Sequence, residues 1–316
     1  MTLTELRYVV AVSRERHFGR AAEACFVSQP TLSVGIKKLE EELGISIFER
    51  GSNEITLTAV GELIVAQAAR ILEEAAGIKS IAQQSGDPLA HPLRIGAIYT
   101  AGPYLLPQML PYLKQHAPAM QLIIQESYTG NLREQLKAGK VDVIIISLPF
   151  SEPGIVTQAL YDEPFQLALP SDHAWNKRKT ISAESLGEET VLLLGAGHCF
   201  RDQVIKMCPK LANSQNENGI QQTLEGSSLE TIRYMVASGV GMTILPCTAC
   251  IPTREENRML IFKSFDPPAP MRRMALAWRK SFPRPEAIAI VRAAILNAKL
   301  NGVIPLDLPA SDNWVG

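Results

Sequence analysis

A chain of 316 residues with 46% hydrophobic residues, 20% charged residues and a formal net charge of -1 has an ordinary globular composition, long enough for two or three domains. No apolar run approaches the ~20 residues that cross a membrane, and Met1-Thr-Leu-Thr-Glu5 lacks the basic-then-apolar layout of a secretory signal. The expectation is a cytoplasmic protein with no membrane partner. Its five cysteines, at 25, 199, 208, 247 and 250, are then not structural disulfides, because that compartment keeps thiols reduced.

Thr4 to Arg14 carries Leu6, Val9, Val10 and Val12 at helical spacing. A short Ala-rich helix follows from Arg20 to Cys25. Ser28 then suits a cap and Pro30 a first turn for a third helix, whose apolar face is Leu32, Ile36, Leu39 and Leu43 and whose stop is Gly44. Thr31, Ser33 and Lys37 point away from that face. Phe48-Glu49-Arg50 and Ile55-Thr56-Leu57 read as two short strands with a turn between them. Two helices joined tightly, the second presenting polar groups near its start, form the plan that enters a DNA major groove. The charge is not the usual one for DNA. Residues 1–60 hold seven Lys/Arg against eight Asp/Glu, so the cations must gather on one face with Glu40 to Glu42 turned away.

Phe18-Gly-Arg-Ala-Ala-Glu, Val27-Ser-Gln-Pro-Thr-Leu-Ser, Lys38-Leu-Glu-Glu-Glu-Leu-Gly, Phe48-Glu-Arg and Leu57-Thr-Ala-Val-Gly61 closely resemble the DNA-binding domain of LysR-type transcriptional regulators. The resemblance implies a winged helix-turn-helix over 1–58. Gln29, Pro30, Thr31, Ser33 and Lys37 are its candidate groove contacts, and Arg50 is the candidate on the wing.

Residues 59–85 read as one long helix. Leu57, Ile64, Ile71 and Ile78 repeat every seven residues, the seam of a helix that pairs with a second copy or packs on its own winged domain. A dimer through this helix is expected. Ser85-Gly86-Asp87-Pro88 and Pro92 mark a hinge over 86–92. From 93 to 300 strands and helices alternate: strands Leu93–Tyr99, Leu122–Gln125, Val141–Ser147, Phe165–Leu169, Val191–Leu194, Gly241–Leu245, Met259–Phe265 and Met274–Trp278, and helices Tyr104–His116, Leu132–Ala138, Leu229–Ala237 and Glu286–Lys299. Continuous apolar strands with helical crossovers predict parallel α/β sheets, with ligand sites at the carboxyl ends of strands. Residues 301–316 form a polar, Pro-containing tail.

The chemistry concentrates in Gly195-Ala-Gly-His198-Cys199-Phe-Arg201-Asp202-Gln203-Val-Ile-Lys206-Met-Cys208. Cys199 stands where a strand hands over to a helix, with His198 before it and Arg201 two residues on, and a nearby cation or a helix N-terminus activates a thiol. A helix over Phe200–Met207 holds Cys208 roughly 13 Å from Cys199 at ~1.5 Å per residue, whereas a disulfide needs Cα atoms within about 7 Å. Local sequence leaves two readings open: a switch that must refold its helix to close a disulfide, or two thiols without chemistry. Cys247-Thr-Ala-Cys250 has redox or half-zinc spacing, but no second pair exists to complete a zinc site. A structural role is expected for it, and neither metal nor cofactor is expected.

The alternating segment resembles the LysR-family effector domain, two α/β subdomains of periplasmic-binding-protein type. Within that family Gly197-His-Cys199-Phe-Arg-Asp-Gln203 ending at Cys208, Ala97-Ile-Tyr-Thr100 and Tyr161-Asp-Glu-Pro-Phe165 resemble the OxyR group of hydrogen peroxide sensors. By that resemblance Cys199 is the peroxidatic thiol and Cys208 the resolving thiol. Thr100, Thr129 and His198 then position peroxide, with Arg201 and Asp202 in the surrounding polar network. The implied partners are promoter DNA, hydrogen peroxide, RNA polymerase, a thiol reductant and further copies of the chain in a dimer or tetramer. The alternatives are a LysR-type regulator of a small organic effector with incidental thiols, and a thiol peroxidase, which the winged domain argues against.

Overall fold

The computed structural model describes residues 1–50, 55–83, 87–212, 228–251 and 259–306. The chain divides into two compact units, Met1–Gly86 and Asp87–Gly316.

In the first unit α1 (Leu3–Glu15) opens on a capping box in which the Thr2 and Glu5 side chains satisfy each other's backbone amides. α2 (Phe18–Ala24) and α3 (Gln29–Leu43) follow, the latter capped by Ser28, with Pro30 in its first turn and left-handed Gly44 at its end. Leu32, Ile36 and Leu39 are fully buried against Val9, Val12 and Ala21, but Leu43 is 39% exposed, so the apolar face of α3 ends one turn earlier than its spacing predicts. The wing pairs β1 (Phe48–Arg50) antiparallel with β2 (Ile55–Leu57), and residues 51–54 between them lie outside the described residues. Glu40 is not part of a solvated acidic face. Its Oε1 accepts from the Ile47 and Phe48 amides at 2.7 and 3.3 Å, clasping the wing to α3.

The long helix α4 (Ala59–Gln83) starts with the Thr58 hydroxyl accepting from the Gly61 amide at 2.8 Å. A Cβ at position 61 would lie 2.1 Å from the Ile47 carbonyl oxygen, so the wing can approach the helix only at glycine. The seven-residue seam divides. Ile64, Ala68 and Ile71 pack on the winged core, whereas Leu63 and Ile78 are 71% and 68% exposed.

The second unit begins with β3 (Leu93–Ile98), which pairs in parallel with β4 (Leu122–Ser127) and β5 (Val143–Ser147), with α5 (Gly102–His116) and α6 (Thr129–Lys137) as crossovers. β6 (Ile155–Pro170) has 16 residues, beginning ten before the expected Phe165, and serves both halves of the unit. Its first part pairs antiparallel with β11 (Met271–Arg279), which also runs antiparallel to β5. Its last residues pair antiparallel with β9 (Met242–Pro246) and β10 (Leu260–Phe265). β7 (Thr180–Ile181) and β8 (Val191–Leu192) add parallel to β10 and β9. The sheet is therefore mixed rather than parallel. β11 enters between β5 and β6 antiparallel to both, and β6 in turn runs antiparallel to β9 and β10, so among the described residues only β3–β4, β3–β5 and the short β7 and β8 pairings are parallel.

Two cores result. One gathers Ile95, Met109, Ile144 and Leu276 with α9 (Pro285–Leu296), and the other gathers Leu167, Leu192 and Leu245 with α8 (Leu229–Ala237). α7 (Cys199–Met207) begins one residue before its predicted start and lies where the two cores meet. Of the polar tail, β12 (Ile304–Pro305) pairs with Asp162 and Tyr161 of β6, and residues 307–316 lie outside the described residues.

Candidate functional site

The turn before α7 passes through Gly197 at φ +92°, a left-handed conformation, with the Tyr128 ring 3.4 Å from where a Cβ would stand. This turn closes a small pocket of about 10 Å³ against the carboxyl ends of β3 and β4. Tyr99 and Thr100 line it from the turn after β3, Tyr128 and Thr129 from the start of α6, and His198 and Cys199 from the cap and first residue of α7. The rings of Tyr99, Tyr128 and His198 pack against one another, with centroids 4.8 to 5.9 Å apart. Burial lowers the His198 pKa, so at neutral pH it is a neutral imidazole beside the thiol.

The two threonine hydroxyls differ. Thr129 Oγ1 is buried and has no hydrogen-bond partner. Thr100 Oγ1 accepts from Arg272 Nη1 at 2.7 Å, and its carbonyl accepts from Nη2 at 2.9 Å. That occupies the guanidinium side of the Thr100 oxygen and leaves its own O–H free to donate. Arg272 Nε donates to Glu163 Oε2 at 2.6 Å, and the guanidinium lies over the Phe200 ring, 5.2 Å from its centroid. Glu163 Oε1 accepts from the Thr248 hydroxyl. All of these side chains are buried. Burial opposes the Arg272 charge, but the fields of Glu163 and then Cys199 outweigh it, so its pKa is raised and it stays charged.

Arg201 and Asp202 do not line the pocket. Two residues of helix turn Arg201 about 200° from Cys199; its Nε is buried without a partner, and Asp202 is exposed. The cation beside the thiol is Arg272, seventy-three residues away in sequence, and no local motif announces it. Gln203, one turn along α7, donates to Ser147 Oγ at 2.8 Å and ties the helix to the end of β5.

All five cysteines are free thiols. Cys199 is half-buried and packs on the first core, whereas Cys208 is 3% exposed within the second. With α7 intact the two stand about 13 Å apart, and the Cys208 amide caps the helix by donating to the Val204 carbonyl at 3.0 Å. Cys247 and Cys250 are both buried, and Cys250 Sγ donates to the Pro246 carbonyl at 3.4 Å. Burial pushes the Cys247 thiol up to about 12 and raises Cys250 as well. Among the described residues no group of three metal-ligating side chains gathers around them.

The lysR-family model of the bacterial regulatory helix-turn-helix proteins matches residues 3–62, and that of the LysR substrate binding domain matches residues 86–299. The DNA-binding transcriptional dual regulator OxyR of Escherichia coli K12 is 39% identical over 283 residues, which span 90% of this chain and 91% of that protein. The chain belongs to the OxyR group of the LysR family. Full-length C199D OxyR of Pseudomonas aeruginosa is 49% identical, with a TM-score of 0.73 over 98% of this chain and 99% of that one. A hydrogen-peroxide-bound mutant OxyR of Corynebacterium glutamicum is 30% identical, with a TM-score of 0.59 over 93% and 91% of the two chains.

In this LysR-type regulator, Gln29, Pro30, Thr31 and Lys37 of α3 are exposed and Ser33 is half-buried. Thr31 Oγ1 shares a 2.8 Å hydrogen bond with the capping Ser28, and Lys37 lies 3.5 Å from Glu41. The Arg50 side chain lies outside the described residues. The sequence reading passed over Val34, 67% exposed on the same helix, and Phe26, 96% exposed in the turn before it at φ +57°. Both are apolar groups on the helix-turn-helix surface, and their exposure is the signal that only a structure supplies.

Proposed function

We propose that the chain is a peroxide-responsive transcription regulator in which Cys199 is the sensing thiol and Cys208 resolves it. The observation that carries this reading is the unpartnered, buried Thr129 hydroxyl in a small pocket shared with Thr100, His198 and Cys199. The pocket's volume is about 10 Å³, room for little more than a water-sized molecule and far below the roughly 300–1,000 Å³ typical of organic-ligand sites. It suits a ligand of two oxygen atoms better than an organic effector.

In the first step the Cys199 thiolate attacks one peroxide oxygen. The S–O bond forms as the O–O bond breaks, and the departing hydroxide takes a proton and leaves as water, giving a sulfenic acid. Thr100 and Thr129 hold the two oxygens, and the charge of Arg272 favours thiolate over thiol. In the second step the Cys208 sulfur displaces water from the sulfenic acid. For that step α7 must unwind and Cys208 must leave its core. Exposing Phe200 and Val204 alone costs about 3–6 kcal/mol, so the disulfide cannot form without rearranging the domain. That rearrangement is the output, carried to the winged helix-turn-helix domain over 1–58 through the helix 59–85 and the hinge 86–92.

Gln29, Pro30, Thr31, Ser33, Lys37 and Arg50 serve promoter DNA in this proposal. The exposed Leu63 and Ile78 serve a second copy of α4, and pairing of such dimers gives a tetramer. A cellular dithiol reductant resets the disulfide, RNA polymerase is the downstream partner, and the protein works in the cytoplasm. It acts as a switch rather than a peroxidase, because each cycle costs a refolded helix. Peptide mass spectrometry after peroxide treatment tests the reading. A Cys199–Cys208 cross-link is expected, lost in Cys199→Ser together with promoter activation; activation that survives Cys199→Ser overturns it.

A further inference from the structure

Glu163 is assigned no part in the reaction above, yet it is ion-paired to Arg272, the cation beside the reacting sulfur. Arg272 touches Thr100 through two hydrogen bonds and overlies Phe200, the neighbour of Cys199. Glu163 is 1% exposed and fully engaged, one oxygen by Arg272 and the other by Thr248. Thr248 belongs to the Cys247-Thr-Ala-Cys250 turn, so its hydroxyl joins that turn to the ion pair.

We propose that Glu163 is a positioning residue with a restraining effect: it holds the guanidinium on Thr100 while cancelling most of the positive field that Arg272 exerts on Cys199. This rests on the sensing role of Cys199. A lone buried cation drives a neighbouring thiol toward thiolate, whereas a neutralised one does so only by the difference between two charges at unequal distances. The other ionisable groups facing the pair are Tyr161 from β6 and Cys247 and Cys250 from their turn, all kept protonated by burial, and His198 faces the thiol as a neutral ring. None of them replaces the missing charge.

The test is the pH profile of Cys199 alkylation by iodoacetamide, read by peptide mass spectrometry on the reduced full-length protein. Glu163→Gln is expected to move the midpoint down by about one unit and to speed the reaction about tenfold on the acid side. Arg272→Gln is expected to move it up. Glu163→Asp, which withdraws the charge by one methylene, shifts it down by less and carries the test should Glu163→Gln fail to fold. Opposite signs from the two partners of one ion pair are not produced by loosened packing. Shifts of the same sign, or an unmoved midpoint in Glu163→Gln and Glu163→Asp, overturn the inference. A wild-type Cys199 that alkylates with a normal profile but resists peroxide overturns the sensing role instead.

Discussion

Two cysteine pairs lie in one unit and invite opposite guesses. Cys247 and Cys250 stand three residues apart on a 3-10 turn, the spacing at which side chains eclipse, with the Cys250 amide donating to the Cys247 carbonyl at 3.0 Å. By proximity they are the better placed to form a disulfide. Cys199 and Cys208 are held apart by a whole helix and belong to two different cores. Chemistry ranks them the other way. The close pair is sealed, with both thiols protonated by burial, whereas the distant pair has one thiol in a pocket beside a buried cation. A sensor needs access and a cost for closure. Proximity alone gives neither.

The sharpest way to break this contrast is to remove one member of each pair. Cys199→Ser is expected to abolish the peroxide response of a reporter promoter, a loss limited only by background, while DNA affinity stays within about twofold. Cys247→Ser in the same assay is expected to leave the response unchanged. A response lost in Cys247→Ser and kept in Cys199→Ser would reverse the assignment of the two pairs.

The contrast also marks what could be read from sequence. The winged domain, the long helix, α8 and the start of α7 follow from periodicity, caps and glycine stops, all local signals. The pocket threonines could be placed because strand ends in α/β sheets gather there. Arg272 and Glu163 could not. They sit on β11 and β6 just outside the strands read from sequence, Met274–Trp278 and Phe165–Leu169, and only the antiparallel register Arg272↔Glu163 brings them together. Arg201 looked better because it was near in sequence, but helix rotation carries it off the pocket. The same locality hid the first ten residues of β6, whose Pro164 sits where two parts of one strand meet different partners.

A second prediction concerns alkali. The Cys247 thiol titrates near 12 in the folded chain and near 8.5 when unfolded, so between those values the folded state holds the extra proton. Stability from this group is complete below about pH 8.5 and declines as the pH rises toward 12. Thermal melts should therefore fall across that window, and Cys247→Ala should flatten the fall while lowering the melt at neutral pH. Acid gives the mirror case at His198. Its folded pKa is depressed, so its contribution is present above about pH 6.5 and is lost on acidification. An alkaline limb unchanged in Cys247→Ala would mean that this thiol is not sealed.

The smallest effect probes the cost of closing the distant pair. Val204 is 1% exposed on α7 and donates nothing to the pocket, so its burial acts only to hold the helix between the cysteines. Val204→Ala removes about 1 kcal/mol of that hold at ~0.8 kcal/mol per methylene, allowing for partial relaxation. The reduced form alone loses it, because the disulfide form has already given up the helix. At about 1.4 kcal/mol per 30 mV the Cys199–Cys208 couple should become more reducing by about 20 mV, measured against a glutathione buffer. The rate of sulfenic acid formation should not change, since the pocket is untouched. A potential that stays fixed, or a change in the first step rather than the second, would show that α7 is not what separates the two thiols energetically.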